Sequence, residues 1–132
     1  MGTAADSTPS SAAGLRVAIV AARYNEEIVD QLVAGAQAAW RAAAGADDAL
    51  RIERVPGAFE LPLAAQLLAR TGNYDAIVAL GCVIRGDTAH FDFVAGECAR
   101  GLQRVMLATA VPVAFGVLTT ENAAQARERS AP

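Results

Sequence analysis

The densest chemistry in the sequence lies in the run Arg85-Gly86-Asp87-Thr88-Ala89-His90, which ends on the chain's only histidine. A glycine-containing turn that opens a helix presents free backbone N–H groups, and here the hydroxyl of Thr88, to an anion. Phosphate is the natural ligand for such a turn at Gly86, Asp87 and Thr88. There is no Gly-Lys-Ser/Thr and no Gly-x-Gly-x-x-Gly after any strand, which disfavours ATP and NAD. The Asp87 carboxylate would repel an anion, so it is expected to point away while its amide faces the ligand. His90 is equally suited to proton transfer and to ordinary helix capping.

The other residues able to hold a small molecule fall in short groups elsewhere: Tyr24-Asn25, Gly57-Ala58-Phe59-Glu60, Cys82-Val83-Ile84, and Phe115 ahead of Thr119-Thr120. Each also has a plainer reading. Tyr24 can be an aromatic packed on the following helix, and Phe59 and Phe115 can be core residues. Glu60 is favourable near a helix N-terminus through the dipole alone.

What joins these groups is the succession of elements that must carry them. Short β-rich runs alternate with helical periods, the pattern of βαβ units. A strand is expected at 15–21, followed by a helix capped by Asn25, with Glu26 and Glu27 in its first turn. Ile28, Val29, Leu32, Val33, Ala36 and Trp40 share one face of that helix. A second strand at 51–55 ends at Pro56-Gly57, and the next helix runs through Leu61, Leu63, Leu67 and Leu68, with Pro62 in its first turn. The run 76–84 is almost continuously apolar, as a central parallel strand covered on both faces must be. A third helix at 91–108, a fourth strand at 111–118 and a helix beginning at 121–129 complete the chain. These elements predict an α/β fold: a three-layer α/β/α sandwich around a four-stranded parallel sheet, with flavodoxin-like order 2-1-3-4. In such sheets ligands bind beyond the carboxyl ends of the strands, which is where every group named above falls.

Composition limits the remaining possibilities. A chain of 132 residues, 54% hydrophobic and 19% charged, holds one core and one domain, expected at 15–132 behind a flexible arm at 1–14. Its net charge of −3 arises from 14 acidic and 11 basic residues with no basic block, which argues against nucleic acid or a charged membrane surface as partner. The apolar runs at 76–84 and 110–118 fall far short of the roughly 18 residues of a membrane span. The first 14 residues, rich in Ser, Thr, Ala and Gly, hold no positively charged segment followed by an apolar stretch, so no secretory signal is expected. Cys82 and Cys98 lie in apolar elements without metal-type spacing, so reduced, buried thiols, a cytoplasmic location and no metal site are expected.

Taken together, the motifs resemble one family. Arg85-Gly86-Asp87-Thr88-Ala89-His90-Phe91-Asp92 is similar to the phosphate and histidine motif of the lumazine synthases, where Arg-Gly is followed by Thr-x-His-Phe. Tyr24-Asn25 resembles that family's aromatic-Asn pair. Val55-Pro56-Gly57-Ala58-Phe59-Glu60-Leu61-Pro62 resembles its second-strand motif, and Phe115-Gly116-Val117-Leu118-Thr119-Thr120 its fourth-strand motif. The matches keep their order and spacing from Leu15 to Arg129.

The resemblance implies condensation of 5-amino-6-(D-ribitylamino)uracil with 3,4-dihydroxy-2-butanone 4-phosphate, without metal or redox cofactor, in riboflavin biosynthesis. It places Tyr24 on the pyrimidine ring, beside Asn25, and gives ring and ribityl contacts to Ala58, Phe59 and Glu60. Backbone contacts fall to Cys82, Val83 and Ile84, the phosphate to Gly86, Asp87 and Thr88, and proton transfer to His90. Phe115 and Arg129 would arrive from a neighbouring subunit, Arg129 as a cation for the phosphate. The family forms pentamers and sixty-subunit shells, and riboflavin synthase is a conceivable partner. Two departures stand out: Tyr24 replaces the more usual Phe or Trp, and members continue beyond the position of Pro132 with a lysine-containing turn and a long helix, so a chain cut short is expected. The alternatives are a non-catalytic assembly scaffold or inactive fragment of the same family, and a flavin-binding module on the same architecture.

Overall fold

The computed structural model describes residues 10–132. Most of the expected N-terminal arm, residues 1–9, lies outside the described residues. Eight main elements follow in order: β1 (Val17–Ala22), α1 (Glu26–Ala42), β2 (Leu50–Val55), α2 (Leu61–Ala69), β3 (Ala76–Ile84), α3 (His90–Thr109), β4 (Val113–Thr120) and α4 (Ala123–Ser130). The strands form one parallel sheet in the order β2-β1-β3-β4, as the sequence predicts. The order follows from burial. β1 is buried at every position, whereas β2 carries Arg51, Glu53 and Arg54 and belongs at an edge.

Alternation along the strands assigns the two faces. Ala18 and Val20 of β1 and Ile77 and Ala79 of β3 meet Leu61, Ala65 and Leu68 of α2 and Cys98, Leu102 and Val105 of α3. Ile19 and Ala21 of β1 and Leu80 and Cys82 of β3 turn the other way, onto Ile28, Val29 and Val33 of α1 and Ala126 of α4. Three layers result. α2 and α3 approach closely at Gly101, where an added Cβ would meet Pro62 at 2.7 Å. Both cysteines are free and buried, and burial pushes both thiols up, Cys98 to about 11.

The boundaries differ from the sequence reading for identifiable reasons. β1 starts at Val17 because Arg16 is tied to Asp75, its amide to the carboxylate at 2.8 Å and its carbonyl to the Asp75 amide at 2.7 Å. β4 is displaced to Val113–Thr120: Pro112 has no N–H to donate, while Thr119 and Thr120 continue the ladder opposite Val83 and Ile84. α4 begins at Ala123 rather than 121, because the Asn122 side chain accepts from the Gln125 amide at 2.9 Å and caps it. The ordered chain also begins before Leu15, since the buried Ala12 donates to the Ala43 carbonyl at 2.7 Å and packs with Trp40.

Candidate active site

At the carboxyl ends of the strands lies a cleft of about 960 Å³. The turn after β1 contributes Tyr24 and Asn25. The turn after β2 is drawn to β1 by two backbone bonds, Arg23 N–H to the Val55 carbonyl at 2.7 Å and Tyr24 N–H to the Pro56 carbonyl at 3.0 Å. It then coils into a single 3-10 turn, Ala58–Glu60, which brings Ala58, Phe59 and Glu60 to the wall. Cys82, Val83 and Ile84 at the end of β3 line the cleft as well, as do Gly86, Thr88 and His90. Twelve of the residues singled out from sequence, on four separate stretches of chain, thus line one cavity.

The aromatic surfaces are open. Tyr24 is 73% and Phe59 61% exposed, so neither is packed into the core of this chain. Exposed aromatic faces on a rigid frame suit stacking on a planar heterocycle. Glu60 is half-buried.

Asn25 differs from its expected role. It adopts a left-handed conformation, φ 58 and ψ 48, and makes no side-chain cap to α1. Its side-chain amide instead donates to the Cys82 carbonyl at 2.9 Å, joining the ends of β1 and β3. Asn tolerates the left-handed region better than most non-glycine residues. A residue that must both turn the chain and span two strands is therefore well chosen as Asn.

The turn before α3 lines the cleft with Gly86 and Thr88. The Thr88 hydroxyl oxygen accepts from the His90 amide at 3.3 Å, which leaves its own proton free for a ligand. His90 is the first residue of α3 and is exposed at the cleft. Asp87 is exposed and lies outside the cleft lining.

Phe115 and Arg129 do not reach this cavity. Phe115 pairs with Ala79 from the edge strand β4 and is 50% exposed, and Arg129 is exposed near the end of α4. Conversely, Phe91, Phe93 and Val94 line the cleft although the sequence reading left them within the helix. Their spacing from His90, within one turn of α3, was the available signal. A second recess of about 370 Å³ opens at the other end of the sheet, but it is lined by apolar residues such as Val17, Trp40 and Pro112 and holds no group that could do chemistry. Among the described residues no cluster of His, Cys, Asp and Glu could hold a metal ion, and no helix is long and apolar enough to cross a membrane.

Comparison with known proteins agrees with this geometry. The family model described as 6,7-dimethyl-8-ribityllumazine synthase matches residues 14–132. A protein of that name from Chlorobium chlorochromatii is 49% identical over 120 residues, covering 91% of this chain and 77% of the relative. Its namesake in Nitratidesulfovibrio vulgaris is 52% identical over 120 residues, 90% of this chain and 76% of its own. That of Chlorobium phaeobacteroides is 52% identical over 120 residues, 91% and 77% of the two chains. The aligned stretch carries all the strand-end groups that build the cleft, and the chain therefore belongs to the 6,7-dimethyl-8-ribityllumazine synthase family.

Proposed function

We propose that the chain condenses 5-amino-6-(D-ribitylamino)uracil with 3,4-dihydroxy-2-butanone 4-phosphate to give 6,7-dimethyl-8-ribityllumazine, phosphate and water. The observation that carries this reading is that Gly86, Thr88 and His90 open onto the same cleft as Tyr24 and Phe59. The anion-binding turn and the stacking surface of this reading thus share one cleft of about 960 Å³.

Tyr24 and Phe59 hold the pyrimidine, while Ala58, Glu60 and the backbone of Cys82, Val83 and Ile84 engage its polar edge and ribityl chain. Asn25 fixes the strand ends beneath it. The phosphate sits at Gly86, Asp87 and Thr88, on backbone amides and the Thr88 hydroxyl. His90 moves protons as the amine adds to the ketone, as water is lost to form the imine, as the phosphate leaves, and as the ribityl-bearing nitrogen closes the second ring with loss of a further water. Holding both substrates in register is worth on the order of 7–11 kcal/mol, more than one acid-base group supplies.

The site is completed in a cytoplasmic homo-oligomer, a pentamer or a sixty-subunit shell of pentamers. Phe115 and Arg129 lie outside their own chain's cleft and are exposed, which suits residues that serve a neighbour's.

Inorganic phosphate is expected to compete with the butanone phosphate and not with the pyrimidine. Thr88→Val should raise the phosphate inhibition constant about tenfold, the loss of one hydrogen bond to a charged group. Steady-state inhibition patterns against each substrate check this. Competition with the pyrimidine, or no inhibition, would contradict the placement of the anion.

A further inference from the structure

Among the described residues, the hydrogen bonds of the segment from Gly86 to Ala89 are local. Thr88 Oγ1 accepts from the His90 amide at 3.3 Å, and the Ala89 carbonyl accepts from the Asp92 amide at 3.0 Å. What ties this turn to the rest of the fold is the residue before it. The Arg85 amide donates to the Thr120 carbonyl at 2.8 Å, carrying the β3–β4 ladder one step past Ile84. Its guanidinium is held from three directions: Nε lies 3.0 Å from Glu121 Oε2, Nη2 lies 3.6 Å from Asp92 Oδ1, and Cζ stands 4.4 Å above the centre of the Phe91 ring.

Exposed ion pairs such as these are individually weak. Their significance is geometric: a planar guanidinium fixed at two edges and one face has a single orientation. Glu121 lies in the loop after β4, whereas Phe91 and Asp92 are in the first turn of α3, next to His90. Phe91 also lines the cleft, and Arg85 itself does not.

We propose that Arg85 is a positioning residue for the phosphate-bearing substrate, joining the β4–α4 loop to the start of α3 and so fixing the turn that presents Gly86 and Thr88. This rests on placing the phosphate at that turn. Arg85 acts through the turn and not as a free charge, because its guanidinium is already engaged by two carboxylates.

Arg85→Ala is expected to raise KM for the butanone phosphate by about 5- to 20-fold, with kcat and the pyrimidine KM changed by less than about twofold. Arg85→Lys keeps the charge but loses the fork and the stacking face, so it should behave more like alanine than like arginine. Glu121→Ala leaves Arg85 and every cleft residue in place and separates two explanations. If Arg85 is a clamp, this variant also raises the butanone-phosphate KM, and combining it with Arg85→Ala adds little. If Arg85 acts as a charge, releasing it from Glu121 lowers that KM, and the proposal is overturned. Thermal melts at one protein concentration accompany each variant; a loss of fold would lower the melting point and raise both KM values, which also overturns the specific role. Thr88→Val separates the proposal from its premise. If Thr88→Val weakens butanone-phosphate binding and Arg85→Ala does not, Arg85 has no positioning role. If neither does, the phosphate lies elsewhere and the proposal falls with that placement.

Discussion

Replacing His90 with alanine should lower turnover at saturating substrates by about 10- to 1000-fold, the range one acid-base group contributes, and leave pyrimidine affinity within about twofold. The separation follows from the architecture of the cleft. His90 stands on the first turn of α3, while the stacking residues and the strand-end lining come from the turn after β1, the 3-10 turn after β2 and the end of β3. Removing the imidazole leaves those walls intact, so ground-state binding survives and only proton transfer is lost. Residual turnover remains because juxtaposition of the two substrates does not depend on His90. Lumazine absorbance gives the rate, and equilibrium titration gives the pyrimidine affinity. Unchanged turnover would remove His90 from proton transfer; parallel losses in both would make it a binding group.

The largest effect on stability is expected at Leu61. It is fully buried, opens α2 directly after the Ala58–Glu60 turn, and lies against β3, where its Cδ1 is 3.2 Å from the position a Cβ on Gly81 would take. Leu61→Ala leaves a void between helix and sheet that the rigid strand cannot fill, at a cost of about 2–5 kcal/mol. Against a total of roughly 5–15 kcal/mol, that is a severe loss. Because the cleft wall from Ala58 to Glu60 leads straight into this residue, pyrimidine affinity should weaken as well. Urea unfolding at matched protein concentrations, which controls for assembly, measures the effect. A loss below about 1 kcal/mol would mean that α2 settles onto the sheet and that its packing is looser than the structure shows.

The sheet was legible in the sequence because its central strands have nothing to hide. The 76–84 strand is apolar nearly throughout and had the same limits in both readings, and the structure places the charged β2 at an edge. Strand ends were less legible where polar residues continue a ladder: Thr119 and Thr120 read as loop yet pair with β3, and Thr120 is buried. The lining of the cleft was largely legible, since strand ends must face the same way in a parallel sheet. What sequence could not give was any contact set by the fold at long range. Asn25 reads as a helix cap, and only the folded chain shows its amide on the Cys82 carbonyl, 57 positions away. Arg85 reads as part of a motif, and its bond to Glu121 spans 36 positions. Such pairings depend on how β1, β3 and β4 lie together, which no local pattern encodes.

The most direct measurement is a single time course in which the purified protein is given both substrates and lumazine and inorganic phosphate are followed together. The two products should appear in equal amounts, at a rate unchanged by a metal chelator, because the proposed reading assigns anion binding, stacking and proton transfer to residues of the cleft itself. Phosphate release without lumazine, or no lumazine above the uncatalysed rate, would contradict the assignment of condensation to this cleft.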